Sequence, residues 1–86
     1  MAEVVSLGGL GFLRTELETG LMLARIARSA KRADKRDRNL LNARKAYEAV
    51  LRFMPGVMLT TSQTEELKKK LERLKKELRT LGEDVQ

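Results

Sequence analysis

The side chains that could do chemistry in this sequence are carboxylates, lysines, hydroxyls and one tyrosine, because His and Cys are both absent. His is the commonest general base and metal ligand, and Cys the usual thiol nucleophile. Glu16 and Glu18 are two residues apart, so a helix directs them to different sides. Tyr47 falls on an apolar stripe, which indicates a core position. The sequence therefore predicts a protein that is not an enzyme and holds no metal and no cofactor.

Glycines at positions 8, 9 and 11 form a second pattern with chemical meaning, since Gly-rich loops can cradle phosphates. No strand is predicted before them and no Gly-Lys-Thr follows them, so a nucleotide-binding loop is not expected. Gly is also a poor helix residue. We therefore expect residues 1–11 to form an irregular N-terminal arm and residues 12–86 to form a single three-helix domain.

Positive charge dominates the composition, with 18 Lys and Arg side chains against 12 Asp and Glu and a net charge of +6. This balance favours contact with nucleic acid or another polyanion. Asp34 and Asp37 dilute the densest cluster, however, and few aromatic side chains are available to stack on bases. Polyanion binding is therefore the second choice of function. Its expected contacts are Lys31, Arg32, Lys35, Arg36 and Arg38.

The apolar stretch over residues 4–13 bears on location. It is too short and too rich in Gly to span a membrane. Glu3 precedes it and no basic residue does, which is unlike a secretory signal. We expect no contact with a membrane and a cytoplasmic location, with which the absence of Cys agrees.

Helical periodicity predicts a first helix from residue 12 or 15 to residue 33 and a second over residues 38–54. If they were one continuous helix, at about 100° per residue, their apolar stripes would face nearly opposite ways. A chain of this size buries both stripes more easily by turning back. We expect a break over residues 33–38, with Asp34 or Asp37 as the new N-cap. The alternative is one long helix whose two faces pack against different partners.

A leucine heptad predicts the third helix, over about residues 64–81. Pro55-Gly56 ends the helix before it, Ser62 and Glu65 fit a capping box, and Gly82 can supply the C′ residue. We interpret this leucine stripe, or seam, as the face of the third helix that packs on the first two helices. The alternative is a homodimer formed through this helix. The members of the seam are Leu67, Leu71, Leu74, Leu78, Leu81 and Val85.

These elements predict an all-α fold, a three-helix, mostly antiparallel bundle. Residues 43–55 resemble the second helix of a tetratricopeptide repeat, where Ala43, Tyr47 and Pro55 match the pattern and Val50 stands where Ala is usual. The three-helix layout is also similar to microtubule-interacting-and-trafficking domains, and the whole chain resembles small uncharacterised bacterial helical proteins. The preceding helix departs from the repeat at Ala27, Ala30 and Lys31.

The repeat resemblance implies a scaffold that binds a peptide or a helix. The function expected first is therefore a small helical protein–protein interaction module, with a protein partner or with self-association. A chain of 86 residues builds a thin core, so binding should rest on apolar side chains that the core leaves exposed. The expected partner contacts lie along Leu23 and Ile26 or, alternatively, at Phe12 and Met58.

Overall fold

Long apolar stripes on three segments produce three α-helices. The structure, a computed structural model, describes the backbone of residues 2–85 and the side chains of residues 9–85. It contains α1 (Ala2–Ser29), α2 (Ala33–Phe53), a short 3-10 turn (Met54–Gly56) and α3 (Thr61–Thr80). Residues 2–85 include no strand, and the predicted all-α, three-helix fold class is confirmed.

The direction of each helix follows from the contacts between them. Phe12 of α1 packs on Phe53 of α2, so these two helices are antiparallel. Arg14 and Arg28 of α1 bond Glu66 and Glu77 of α3 in the same order along the chain, so α1 and α3 are parallel. The molecule measures 45 × 21 × 17 Å, and its long axis is close to the length of a 28-residue helix, about 42 Å.

The N-terminal arm predicted for residues 1–11 is wrong for residues 2–11, because α1 begins at Ala2. Met1 lies outside the described residues. Each Gly costs a helix about 1 kcal/mol, but Leu10 is buried in the core. Its side chain and the continuous backbone hydrogen bonds outweigh that cost. The predicted boundary between residues 11 and 12 therefore falls inside a helix.

The break between the first two helices is confirmed, and the single long helix is wrong. It lies at residues 30–32 rather than 33–38, and α2 begins at Ala33. The N-cap is Arg32, whose backbone is extended and whose side chain makes no cap hydrogen bond. Asp34 stands in the first turn, where a carboxylate favours the helix dipole without capping. The expected caps at Asp34 and Asp37 are therefore wrong.

The start of α3 also differs from the predicted register. Thr60 is the N-cap: its hydroxyl accepts from the Gln63 N–H at 3.0 Å, and the Gln63 side chain accepts from the Thr60 N–H at 2.9 Å. The predicted box of Ser62 and Glu65 is wrong because Thr60-x-x-Gln63 satisfies the same pattern two residues earlier, where the backbone is still extended.

The end of α3 agrees with prediction. Gly82 has a φ of 93°, a left-handed conformation that Gly adopts without penalty. The Gly82 N–H donates to the Arg79 carbonyl at 3.0 Å and the Glu83 N–H to the Leu78 carbonyl at 2.9 Å. These two bonds form a Schellman motif.

The core runs along the axis where the three helices meet. Its largest fully buried side chains come from all three: Leu13, Leu17, Val50, Leu67, Leu74 and Leu78. Tyr47 is buried as predicted. Leu71 and Leu81 are half-buried and pack against the same cluster. The leucine heptad of α3 is therefore occupied within the chain, by α1 and α2.

Candidate functional site

Two phenylalanines mark one end of the molecule. The rings of Phe12 and Phe53 meet edge to face, with centroids 5.7 Å apart and planes at 87°. They keep 42% and 50% of their surface exposed. Together with Gly9, Gly56 and Val57 they line a shallow groove of about 490 Å³. An aromatic pair that is packed but half in water is well placed to bury further apolar surface.

A second groove lies on the other side of the 3-10 turn. It has a volume of about 400 Å³ and shares Val57 with the first. Met58, the next residue, is 84% exposed. We call this surface, formed by Phe12, Leu51, Phe53, Val57 and Met58, the apolar end. The second groove is lined by Leu51, Met54, Pro55, Val57, Leu59, Thr64, Lys68 and Leu71.

The structure brings together only part of the predicted partner contacts. Phe12 and Met58 both belong to the apolar end. Leu23 and Ile26 are half-buried, and Leu23 packs against the core. Eleven residues, about 16 Å of helix, separate Leu23 from Phe12. Of the two expected locations, the structure therefore leaves Phe12 and Met58 on an exposed apolar surface, while Leu23 and Ile26 lie apart from it.

Sequence reasoning missed Phe53 and Leu51 as surface residues. Both fall beside the apolar stripe of α2, and an apolar residue in that position indicates a core side chain. The structure leaves Phe53 50% and Leu51 45% exposed, since the buried stripe of α2 is centred on Ala43, Tyr47 and Val50. The position of Phe53 next to Met54-Pro55 is the one signal that could have found it, because a side chain at a helix end has fewer neighbours.

The opposite end is cationic. Lys31, Arg32, Lys35, Arg36 and Arg38 are all exposed around the turn between α1 and α2, so the structure brings the predicted cluster together. Arg32 pairs with Asp34 at 3.1 Å and Arg36 reaches Asp37 at 3.9 Å. The half of the molecule nearest the turn, residues 21–43 and 72–85, has eleven Lys and Arg side chains against six Asp and Glu. It holds most of the net positive charge.

Ion pairs join α1 to α3 between the two ends. Arg14 donates two hydrogen bonds of 2.8 Å to the Glu66 carboxylate, and Lys70 donates one of 2.8 Å to Glu18. These bonds lower the pKa of Glu66 and of Glu18, so both carboxylates are charged at neutral pH. Further along, Arg28 bonds Glu77 at 3.1 Å. The pairs help to hold α3 in its place on the hairpin.

Several groups suited to acid–base chemistry are engaged in ion pairs: Lys70 lies 2.8 Å from Glu18 and 4.0 Å from Glu66. Burial raises the pKa of the Tyr47 hydroxyl, which keeps it protonated at neutral pH. Within the part of the chain that the structure describes, no three metal-ligating side chains come together. None of the described helices has both the length and the apolar character needed to cross a membrane.

No protein-family model matches the chain, and neither the curated proteins nor the solved structures include a match to it. The resemblances to a tetratricopeptide unit and to microtubule-interacting-and-trafficking domains therefore stay predictions. The class of the molecule rests on its own geometry, a three-helix bundle with an apolar end and a cationic end.

Proposed function

We propose that this chain is a protein–protein interaction module whose apolar end binds an amphipathic helix of a protein partner. The observation that carries the proposal is the clustering of exposed apolar side chains around the Met54–Gly56 turn, with Phe12 and Phe53 on one side and Leu51 on the other. An amphipathic helix recognises such a surface through apolar side chains spaced three and four residues apart. The antiparallel α1–α2 hairpin also agrees with the tetratricopeptide-like resemblance.

Charge at the apolar end favours an acidic partner. Lys68 lines the second groove, and Arg52 is exposed between Leu51 and Phe53. Neither cation makes an ion pair with any other described residue. Two copies of the chain joined through this end would bring these cations together, and like charges across an interface oppose association. A partner helix with Asp or Glu beside its apolar face meets no such penalty.

Affinity capture followed by mass spectrometry, with and without nuclease, tests the proposal. The test variant combines Phe53→Gln with Met58→Gln, both exposed positions at the apolar end. The matched control is Leu41→Gln, because Leu41 is 52% exposed on α2 near the cationic end. Circular dichroism checks that all three proteins keep their helices.

We expect the wild type and the Leu41 variant to capture the same partner protein, with or without nuclease. The double variant should not capture it. The binding segment of the partner should be an acidic amphipathic helix. Capture that survives in the double variant, or that nuclease abolishes, would contradict the proposal. A concentration-dependent dimer that the double variant abolishes, measured by light scattering, would replace the partner helix with a second copy.

We also propose a cytoplasmic location, which fractionation of cells tests.

The cationic end supports a second candidate function, binding of nucleic acid or another polyanion. Its support is the gathering of five exposed cations at one turn. We expect no binding to labelled single-stranded or duplex oligonucleotides tighter than about micromolar at physiological salt, the strong end of non-specific affinity. Fluorescence anisotropy measures it. Nanomolar binding that is lost when Lys35, Arg36 and Arg38 become Gln would favour this function over the first.

A further inference from the structure

A third surface, separate from both ends, lies in the groove between α1 and α3. The groove has a volume of about 430 Å³, within the range of small-molecule sites, about 300–1,000 Å³. Leu21 and Met22 of α1 contribute apolar surface to it, and Arg25 of α1 and Arg73 of α3 reach it from the two sides. It therefore combines an apolar patch with two guanidinium groups.

The hydrogen-bonded ion pairs of this seam do not include those two arginines, although the charge of Arg73 also acts on Glu18. Elsewhere on the seam a cation of one helix meets an acid of the other, as in Lys70–Glu18 and Arg28–Glu77. Arg25 and Arg73 also line the groove, yet neither side chain forms an ion pair or a hydrogen bond with any described residue. With the flanking pairs balanced, the groove carries an excess of two positive charges.

We propose that this groove binds a dianionic phosphate monoester with an apolar or aromatic substituent. Two negative charges match the excess, and guanidinium groups bind phosphate oxygens through paired N–H donors. The substituent would lie on Leu21 and Met22. Glu18 and Glu77 stand in the same groove and repel an extended polyanion. The ligand is therefore a compact phosphate, and the site is distinct from the five cations at the turn.

Nuclear magnetic resonance titration with phenyl phosphate tests the proposal on the full chain. Saturable shifts are expected for the side-chain Nε–H signals of Arg25 and Arg73 and for the Met22 methyl group. Inorganic phosphate should bind more weakly because it lacks the ring, and benzyl alcohol should not shift these signals. Shifts centred on residues 31–38, no saturable shift, or equal affinity for inorganic phosphate would each overturn the proposed ligand or site.

Two double variants that lose the same charge distinguish binding in the groove from general attraction by the positive charge of the protein. Arg25→Gln with Arg73→Gln should weaken phenyl phosphate binding by about tenfold or more, equivalent to one charge-assisted hydrogen bond. Lys45→Gln with Arg52→Gln removes the same charge from exposed positions of α2 that do not line the groove, and should leave the affinity within about twofold of the wild type, since screening weakens distant charges. Equal losses in both variants would overturn the proposal. Arg73→Lys keeps the positive charge but removes the paired N–H donors of the guanidinium group, so it should also weaken binding.

Discussion

At Gly20 the backbone of α1 lies close to both other helices. A Cβ atom built at this position would lie 2.7 Å from Cδ2 of Leu74 in α3 and 3.3 Å from Cβ of Ala46 in α2. Small buried residues, Ala24 of α1 and Ala43 of α2, extend this close contact along the hairpin. The absence of a side chain at Gly20 therefore leaves room for Leu74 of α3 and Ala46 of α2 to pack against α1.

Replacing Gly20 by Val should destabilise the fold by about 1–3 kcal/mol, the usual cost of overpacking a core. Gly11 is the matched control, because a Cβ there meets nothing within 4 Å. Gly11→Ala should stabilise the protein by about 0.5–1 kcal/mol through helix propensity. Urea unfolding measures both changes, and a Gly20→Val protein as stable as the wild type would contradict the packing described here.

Two leucines of one seam should respond differently to truncation. Leu74 is fully buried, whereas Leu71 is half-buried and also lines an open groove. Leu74→Ala should cost about 2–5 kcal/mol, the range for a large-to-small core change. Leu71→Ala should cost clearly less, because part of its side chain remains in water. The free energies of unfolding from chemical denaturation provide the comparison, and equal losses would mean that Leu71 is covered in solution.

At the scale of the element, the ends of the helices differ in how they are stabilised. The N-terminus of α3 has a reciprocal capping box and its C-terminus a Schellman motif. The N-terminus of α2 has neither, since Arg32 makes no side-chain cap. The turn between α1 and α2 is therefore held by the pairing of those two helices. Both ends of α3 are therefore stabilised by hydrogen bonds within its own stretch of the chain.

The register of the α3 cap gives a direct test at this scale. Thr60→Ala should cost about 1 kcal/mol, because the Gln63 N–H loses its acceptor. Ser62→Ala is the control: Ser62 lies inside the helix and is exposed, so the change should stay within about 0.5 kcal/mol. Thermal unfolding followed by circular dichroism reports both. A larger loss from Ser62→Ala would place the cap two residues later.

At the scale of the whole molecule, charge and apolar surface are segregated. The apolar end and the five cations of the turn stand at opposite ends of a molecule 45 Å long, and the α1–α3 ion pairs lie between them. Each end can therefore make its contact without obstructing the other. The same ion pairs connect the stability of the bundle to pH.

Stability should fall in acid because the α1–α3 pairs lose their charge. Hydrogen bonds from Lys70 and from Arg14 lower the pKa of Glu18 and of Glu66. A carboxyl group whose pKa is lowered by folding contributes stability above its unfolded pKa, and this contribution disappears as the pH falls through the folded pKa. The melting temperature should therefore be steady near neutral pH and decrease below about pH 4.5.

The matched variant for this prediction is Glu18→Gln with Glu66→Gln. It should melt lower than the wild type at neutral pH and show a weaker dependence on pH. Added salt should reduce the difference, since both pairs are exposed to solvent and are screened. Melting curves between about pH 3 and pH 7, at low and high ionic strength, measure it. Identical pH profiles for the two proteins would contradict the role given to these pairs.

The sequence by itself determined the fold class and the elements whose signals are local. The leucine spacing of α3, the stop at Pro55-Gly56 and the left-handed Gly82 each depend on residues close in the chain. The reversal of the apolar stripe required a turn before Leu40, because one helix cannot present both stripes to one core. The same turn contains the basic residues 31–38, so the sequence also predicted that these cations lie together at an exposed turn.

Only the tertiary structure decided how far α1 extends and which apolar side chains stay in water. Residues 2–11 are helical although three of them are Gly, and Phe53 is exposed although Tyr47, six residues earlier, is buried. The meeting of Arg25 and Arg73 in one groove also follows from the placement of α3. The physical reason is that burial and ion pairing depend on where distant helices cross, whereas periodicity and capping act between neighbours in the chain.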